Sequence, residues 1–217
     1  MPIALPQTEI HLYQRSISLL PSKSLATPLA FSKTCETHLV EILSAYLNTN
    51  STPLAIHRTR NGKPFLPDHP WLSFSLSHTQ ETLLVALAHT RRLGVDIESL
   101  TRPHPERLRE KIIRRFFGAS ENIQYTESKD QVRTFYELWT EKEAYIKAIG
   151  SRWFSPIDPE SDSSSLSWVR QPLAFDAWNK STQVPLIGSL VYEHIERADT
   201  LEISGRRGSP CVTCYFW

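Results

Sequence analysis

The sequence predicts a mixed α/β (α+β) fold. Segments with the alternation or the short apolar runs of strands are interleaved with segments of helical periodicity in both halves of the chain. The 217 residues are enough for one large domain or two small ones. A chain of this length can bury a sufficient core without disulfides or a structural metal.

The first half is expected to hold one helix among several strands. The helix is predicted at 35–47, where Leu39, Ile42, Leu43 and Tyr46 fall on one face. A strand is predicted at 9–19, and a strand–turn region at 54–66 has its turn at Asn61-Gly62. Further strands are predicted at 71–78, 82–88 and 93–98.

The 71–78 strand has two chemically different faces. Serines occupy one face and apolar residues the other, and the apolar face ends at His78. A histidine in that position is more often a packed core residue than a ligand. Ser77 and His78 point to opposite faces, which argues against a hydrolase dyad.

The second half is expected to begin with two helices. The first is a basic helix near 105–117, and the second is longer, at 130–149. A Ser/Asp/Pro-rich loop is predicted at 155–167. The remaining strands are predicted near 168–175, 186–194 and 211–217.

The N-terminal sequence and the cysteines predict a protein of the reduced cytoplasm. The N-terminal residues have neither the charge nor the apolar stretch of a secretion signal, and no segment is apolar over the roughly 18 residues of a membrane span. Cys35, Cys211 and Cys214 are expected to be small apolar side chains, since their number and spacing fit neither a disulfide framework nor a zinc site.

The charges of the chain nearly cancel but are unevenly distributed. With 24 Lys+Arg and 23 Asp+Glu the net charge is +1, which argues against a protein that wraps nucleic acid. Three basic residues surround the Asn61-Gly62 turn, namely Arg58, Arg60 and Lys63. They form either a solvated hairpin or a lip that binds phosphate.

The basic helix carries a second cluster of positive charge. Its residues are Arg102, Arg107, Arg109, Lys111, Arg114 and Arg115, against only Glu106 and Glu110. Leu108, Ile112 and Phe116 would form its buried stripe. The charge is either a solvated helix face or a docking strip for an acidic partner.

One carboxylate lies on the wrong face of the long helix. Helical projection places Glu143 near the centre of an apolar stripe, whereas Glu137 and Glu141 point away from it. The stripe consists of Val132, Phe135, Tyr136, Trp139 and Ile146. A buried carboxylate needs a cation. Either Lys147, one turn later, pairs with Glu143, or Glu143 binds a metal ion.

A second acidic pair lies in the strand at 93–98. Asp96 and Glu98 project to the same face, while Val95 and Ile97 project to the other. The pair is either a solvent-facing edge or, with Glu143, half of the oxygen shell of a hard divalent cation.

In order along the chain, the motifs resemble those of the 4′-phosphopantetheinyl transferase family, of the long monomeric Sfp type. They are Gly62-Lys63-Pro64, Phe74-Ser75-Leu76-Ser77-His78-Thr79, Gly94-Val95-Asp96-Ile97-Glu98 and Trp139-Thr140-Glu141-Lys142-Glu143-Ala144 with Lys147. Arg115-Phe116-Phe117 and Glu121 lie between the last two. The Ser-rich loop and short tail are more similar to the compact holo-acyl-carrier-protein synthase branch.

The resemblance implies transfer of phosphopantetheine from coenzyme A to a serine of an apo carrier protein, with adenosine 3′,5′-bisphosphate as the by-product. It implies Mg²⁺, or Mn²⁺ in its place, held by Asp96, Glu98 and Glu143. It implies coenzyme A contacts from Lys63, Ser77 and His78, joined by Arg58 and Lys142. Lys147 corresponds to the lysine that faces the pyrophosphate. Glu121 corresponds to a proposed general base, a role that is also given to Glu143 or a metal-bound water.

The family fold implies two similar α/β halves in a pseudo-twofold arrangement, here 1–99 and 100–217, with the site between them. It also implies a monomer whose basic helix, 102–115, docks an acidic acyl or peptidyl carrier protein. Where family members usually carry arginines in the N-terminal helical segment, Ser32–His38 offers only Lys33 and His38. This difference concerns the remote end of coenzyme A.

Two other functions use the same residues. A Mg²⁺-dependent nuclease or phosphodiesterase would need the three carboxylates, but Leu100 stands where many such sites carry a lysine. An inactive carrier-binding module is the other alternative, against which the intact charged motifs argue.

Overall fold

A computed structural model of the chain describes residues 3–7, 9–17, 28–49, 54–79, 82–90, 92–101, 103–151, 168–173, 175, 185–193 and 211–216. The four helices of this part are α1 (Pro28–Leu47), α2 (Glu106–Phe116), α3 (Ala119–Glu127) and α4 (Gln131–Ile149). Its strands are β1 (Glu9–Ser16), β2 (His57–Arg58), β3 (Pro64–Phe65), β4 (Ser73–His78), β5 (Thr82–Ala88), β6 (Leu93–Ser99), β7 (Trp168–Leu173), β8 (Leu186–Glu193) and β9 (Cys211–Phe216). The mixed α/β class is therefore confirmed.

The first sheet has four strands in the order β4-β5-β1-β9. The β4–β5 and β5–β1 pairs are antiparallel, and β9 lies parallel to β1. The apolar face of α1 covers this sheet through Leu39, Ile42 and Leu43, all at most 3% exposed. A buried side-chain contact joins the same elements, because the hydroxyl groups of Tyr13 and Tyr46 lie 2.5 Å apart.

The second sheet has three antiparallel strands in the order β6-β8-β7. β5 and β6 follow one another in sequence but belong to different sheets, so the chain crosses from one sheet to the other at 89–92. β6 pairs with β8, and β9 pairs with β1. Strand pairing thus joins residues on both sides of the predicted 99/100 boundary, and the division into two halves stays a prediction.

The serine face of β4 joins the two sheets. Ser75 Oγ accepts the Val95 amide at 3.1 Å, and Ser77 Oγ accepts the Ile97 amide at 3.4 Å. These amides lie on the edge of β6 that faces away from β8. Unpaired buried amides are costly, so the serines satisfy an edge that would otherwise lack partners. The polar face of this strand is therefore buried at 5–6% exposure for Ser75 and Ser77.

Helix α4 packs on β6 at very short range. A Cβ atom on Gly94 would lie 1.8 Å from the Ala144 carbonyl oxygen and 2.6 Å from the Ala148 amide nitrogen. On the neighbouring strand, a Cβ on Gly188 would lie 2.6 Å from the Asp96 carbonyl oxygen. Glycine at both positions lets two backbones approach β6 more closely than any side chain would allow.

Several predicted elements differ from the structure in instructive ways. Helix α1 begins at Pro28, seven residues before the predicted start, and α3 was not predicted as a separate helix. Leu108, expected in the buried stripe of α2, is 41% exposed, and Ile113 is buried instead. The 155–167 loop prediction and Arg102 lie outside the described residues.

Helix α4 is buried on more than one face. It lies against β6 and β8 on one side and α3 on another, so Thr140 and Lys142 are buried as well as the apolar stripe. Glu141, expected to face solvent, is half-buried, and its Oε1 atom lies 3.4 Å from Arg170 Nε. No helix in the described ranges combines the length and the hydropathy that crossing a membrane requires.

Substituting Gly94→Ala tests the close approach of α4 and β6. The added methyl group meets the backbone of α4, which cannot rotate away, so we expect the free energy of unfolding to fall by at least about 3 kcal/mol. Urea unfolding measures it. Gly118→Ala is the control, since its added Cβ would lie 3.7 Å from the nearest atom; because Gly118 is the N-cap of α3, it should lower stability by no more than about 1 kcal/mol. Equal effects of the two substitutions would contradict the packing described above.

Candidate active site

One cavity of about 680 Å³ collects most of the predicted site residues. Its walls come from the 58–64 turn, from β4, from β6 and from the C-terminal half of α4. The predicted residues that line it are Arg58, Lys63, Ser77, His78, Asp96, Glu98, Glu143 and Lys147. Side chains that are far apart in the sequence, from Arg58 to Lys147, are therefore brought together, because β4, β6 and α4 meet at the junction of the two sheets.

At the bottom of the cavity a lysine lies on a buried carboxylate. Lys147 Nζ donates to Asp96 Oδ1 at 2.6 Å, to Ser77 Oγ at 2.9 Å and to the Val95 carbonyl at 3.2 Å. Ser77 in turn donates to Asp96 Oδ1 at 2.6 Å. The sequence suggested Glu143 as the partner of Lys147, but the ammonium reaches across to β6 instead. The Asp96 carboxylate is only 2% exposed, and a buried charge needs a partner of opposite charge and hydrogen bonds. Lys147 and Ser77 provide both.

The solvent-facing alternative for Asp96 and Glu98 is wrong, because Asp96 is buried and Glu98 is partly buried on the cavity wall. Burial, and then the charge of Asp96, raises the pKa of Glu98 to about 7. Burial also raises the pKa of Glu143, with Asp96 and Glu98 adding to the effect and Lys147 opposing it. Three carboxyl groups thus lie close together, with Lys147 as the cation that opposes their mutual repulsion.

The second carboxylate oxygen of Asp96 could accept a further hydrogen bond or bind a cation. Asp96 Oδ2 is buried and has no hydrogen-bond donor. The carboxyl group of Glu143 lies close enough to the Asp96 carboxyl group for a hydrogen bond. Two carboxyl groups can form that bond only when one of them carries a proton. Such crowding of acceptors is relieved by a proton or by a cation, so the donor set fits a hard divalent ion. Within the described residues, however, no group of three or more Asp, Glu, His or Cys side chains is already spaced as a metal centre.

His78 lies at the mouth of the cavity rather than in the core. It is the last residue of β4, and it is exposed, whereas the residues before it are buried or half-buried. Burial of the ring atoms, followed by the charge of Lys147, lowers the pKa of His78. The imidazole is therefore neutral at pH 7 and able to donate or accept a proton. The expectation of a packed core histidine is wrong.

The basic lip is partly used for internal contacts. Arg58 donates to the Gly62 carbonyl at 3.1 Å and is exposed. Lys63 Nζ donates to the carbonyl groups of Leu93 at 3.1 Å and Ala148 at 2.9 Å. Burial, and then the charge of Arg92, lowers the pKa of Lys63 to about 8. Lys63 is thus half-buried beneath the turn, while Arg58 lies on its outer side.

Glu121 and Lys142 lie outside the cavity walls. Glu121 Oε1 is 2.8 Å from Lys142 Nζ, and Glu121 Oε2 accepts the Gly118 amide at 2.6 Å. This carboxylate therefore caps the first turn of α3 and ties α3 to α4. Lys142 is 4% exposed on the side of α4 away from Glu143. Their predicted roles as base and coenzyme A contact stay predictions.

Comparisons with known proteins show which family a part of this chain resembles. A sequence profile of the 4′-phosphopantetheinyl transferase superfamily matches residues 92–184. The chain is also similar to curated relatives along about half its length. It is 34% identical to the 4′-phosphopantetheinyl transferase gsp of Aneurinibacillus migulanus over 114 residues, which cover 52% of this chain and 45% of the relative.

Two further relatives give the same picture. The 4′-phosphopantetheinyl transferase HetI of Nostoc sp. is 34% identical over 117 residues, covering 52% of this chain and 48% of the relative. The 4′-phosphopantetheinyl transferase Sfp of Bacillus subtilis is 29% identical over 119 residues, covering 54% and 50%. Residues 92–184 of the chain are thus similar to the 4′-phosphopantetheinyl transferase superfamily. The chain spans about half the length of the curated relatives it matches.

The matched segment contains Asp96, Glu98, Glu143 and Lys147, whereas Ser77, His78 and the basic lip precede it. Sequence reasoning missed the residues that make these groups converge. Gly94 and Gly188 permit the close approach, and Ser75 fixes β4 on β6. The scarcity of glycine and the regular spacing of the serines were the available signals.

The raised pKa values predict how stability depends on pH. The folded protein retains protons on Glu98 and Glu143 that the unfolded chain releases near pH 4.5. The contribution of these groups to stability is therefore complete below about pH 4.5 and is lost as the pH rises through about 7 for Glu98 and beyond it for Glu143.

Urea unfolding of the wild type and of the double variant Glu98→Gln/Glu143→Gln, from pH 5 to pH 8, measures this. The wild type should lose stability relative to the variant as the pH rises. Glu137→Gln, at an exposed carboxylate of the same helix, should follow the wild type. Parallel curves for wild type and double variant would refute the raised pKa values.

Proposed function

We propose that this protein transfers phosphopantetheine from coenzyme A to a serine hydroxyl of an apo acyl or peptidyl carrier protein. The observation that supports this most strongly is the convergence of Asp96, Glu98, Glu143 and Lys147 in one cavity, in a chain similar to this superfamily. In the proposed reaction the serine oxygen forms a bond to the pantetheine-linked phosphorus. The bond from that phosphorus to the bridging oxygen of the pyrophosphate breaks, and adenosine 3′,5′-bisphosphate leaves.

Asp96, Glu98 and Glu143 would hold Mg²⁺, or Mn²⁺ in its place. The unpartnered Asp96 Oδ2 and the raised pKa values of the two glutamates support this assignment. When bound, the ion neutralises the pyrophosphate and the charge that develops on the leaving group. The requirement for a cation also explains why three carboxyl groups are gathered around the ammonium group of Lys147.

The chain's own cations position the pyrophosphate. Lys147 lies within the cavity, where its positive charge can offset the charge of a phosphate group bound nearby while its three N–H groups hold Ser77, Val95 and Asp96. His78 at the mouth of the cavity can donate to a phosphate oxygen. Arg58 on the outer side of the turn suits the more distant 3′-phosphate. Catalysis of phosphoryl transfer depends mainly on such positioning and charge compensation.

Glu143 is the better placed of the two carboxylates considered for the serine proton. It lines the cavity, whereas Glu121 is held by Lys142 and the Gly118 amide. We therefore assign the proton acceptor role to Glu143.

The free cysteines Cys35 and Cys214 are in keeping with a reduced cytoplasm as the place of reaction.

Intact-mass measurement of apo carrier proteins tests the transfer. Incubated with this protein, coenzyme A and Mg²⁺, at least one carrier of a panel from fatty acid, polyketide and peptide synthesis should gain the phosphopantetheine arm. Glu143→Gln and Asp96→Asn should each lower the rate on the order of 10²-fold or more, because each removes a charged group at the reacting phosphates.

Glu137→Gln, on the exposed face of α4, is the control and should retain the wild-type rate. Glu121→Gln separates the two candidate bases, since it should retain turnover in the folded protein. An absence of the arm on every carrier would exclude the transferase function. Cleavage of a nucleic acid or another phosphodiester in a parallel incubation with Mg²⁺ would instead support the nuclease alternative.

We further propose that the carrier docks on α2 and α3. Arg107, Lys111 and Arg114 are exposed on α2. Two large apolar side chains are exposed nearby in sequence, Leu108 at 41% on α2 and Ile123 at 56% on α3. A cationic surface with apolar centres suits an acidic helical partner. Arg109 differs from the others, because it donates to the His104 carbonyl and is half-buried.

The double variant Arg107→Glu/Lys111→Glu tests the docking surface. Charge reversal should raise the KM for the carrier about tenfold and leave the KM for coenzyme A unchanged, since rim charges act mainly on association. Steady-state kinetics at low and moderate salt measures both constants. Lys129→Glu/Arg133→Glu reverses two exposed charges elsewhere and should have little effect. An unchanged carrier KM in the α2 variant would place the docking surface elsewhere.

A further inference from the structure

The side chain of Lys63 connects three elements of the cavity. From the turn between β2 and β3, its ammonium group reaches the Leu93 carbonyl at the start of β6 and the Ala148 carbonyl at the end of α4. Leu93 directly precedes Gly94, where the two backbones meet, and Ala148 directly follows Lys147. The contact thus lies beside the pair of elements that carry the four charged groups.

The end of α4 needs such a donor. The last carbonyl groups of a helix have no partner within it and carry the negative end of its dipole. Gly150 closes α4 in the left-handed conformation with φ of 66°, and the turn covers it. A Cβ on Gly150 would lie 3.4 Å from the Lys63 side chain, and Asn61 Nδ2 donates to the Gly150 carbonyl at 2.9 Å.

We infer that Lys63 is a positioning residue, whose ammonium group ties the end of α4 to the start of β6 and so fixes the distance between Glu143 and Lys147 on one side and Asp96 and Glu98 on the other. The functional part of this inference rests on the proposed transferase function. It replaces the expectation of a direct phosphate contact. Reaching a phosphate would take the ammonium group away from two carbonyl groups, 2.9 and 3.1 Å from it, that have been removed from water.

Arg58 and Arg60 provide the contrast within the same turn. Both are exposed, whereas Lys63 is not. Cations that contact a soluble phosphate need access to it, and a cation that holds backbone carbonyls needs burial. The basic lip therefore has two parts. Arg58 and Arg60 are accessible to a ligand, whereas Lys63 binds the protein's own backbone carbonyl groups.

Amide hydrogen exchange of the ligand-free protein tests the structural part without any assay of activity. Lys63→Met should raise exchange about tenfold or more in peptides covering 145–151 and 92–97, while peptides of α2 remain unchanged. Asn61→Ala removes the second contact with Gly150 and should raise exchange in 145–151 by a smaller factor. Arg60→Met, the matched loss of one charge from the same turn, should leave both regions protected. Unchanged exchange in Lys63→Met would overturn the inference.

Kinetics with two donor substrates tests the functional part. Displacement of catalytic groups by about 1 Å lowers rates on the order of 10²-fold, so kcat of Lys63→Met should fall with coenzyme A and with 3′-dephospho-coenzyme A alike. The ratio of kcat/KM between the two donors should stay at its wild-type value. A ratio that collapses toward one would make Lys63 a ligand of the 3′-phosphate and overturn the positioning role. If the wild type itself transfers nothing, the transferase proposal fails while the exchange result still decides the structural tie.

Discussion

The close packing of α4 on β6 is the constraint on which the rest of the site depends. At Gly94 the strand has no side chain, and the backbone of α4 fills the space that a Cβ would take, 1.8 Å from the Ala144 carbonyl oxygen. This approach allows Lys147 to reach Asp96 and places Glu143 opposite Glu98. A wider spacing would separate the four charged groups and let water screen them. Glu98 and Glu143 remain crowded, and their pKa values stay raised, because the backbones of β6 and α4 are packed against each other.

The cavity lies where β4 meets β6 through polar contacts, beside the apolar core that the two sheets share. Ser75 and Ser77 of β4 accept amides of β6, and Thr140 of α4 lies 3.0 Å from Ser189 Oγ of β8. Such contacts are directional, so they fix the register between the elements more closely than apolar packing would. A site that must hold a pyrophosphate and a cation needs this precision, since errors of about 1 Å are costly in rate. The polar joint therefore serves the chemistry that we propose.

Most elements and the residues of the site follow from the sequence, because they depend on local patterns. The alternation in 71–78, the paired carboxylates at 96 and 98 and the inward position of Glu143 are each visible within one strand or helix. The partner of Lys147, the internal role of Lys63 and the ion pair of Glu121 with Lys142 were not predictable in this way. Each depends on a contact between segments distant in sequence, such as the 85 residues that separate Lys63 from Ala148. The helical face alone favoured Glu143 as the partner of Lys147, and only the approach of β6 offers the alternative.

A double-mutant cycle across the α4–β6 contact tests the central claim most directly. Asp96→Asn, Lys147→Met and the combined variant are compared with the wild type by urea unfolding at pH 7. If the 2.6 Å ion pair holds the two elements together as described, the coupling free energy between the two substitutions should lie in the range of about 1 to 3 kcal/mol. Additive effects, with a coupling free energy near zero, would mean that the two groups do not meet in solution and would contradict the account of the site.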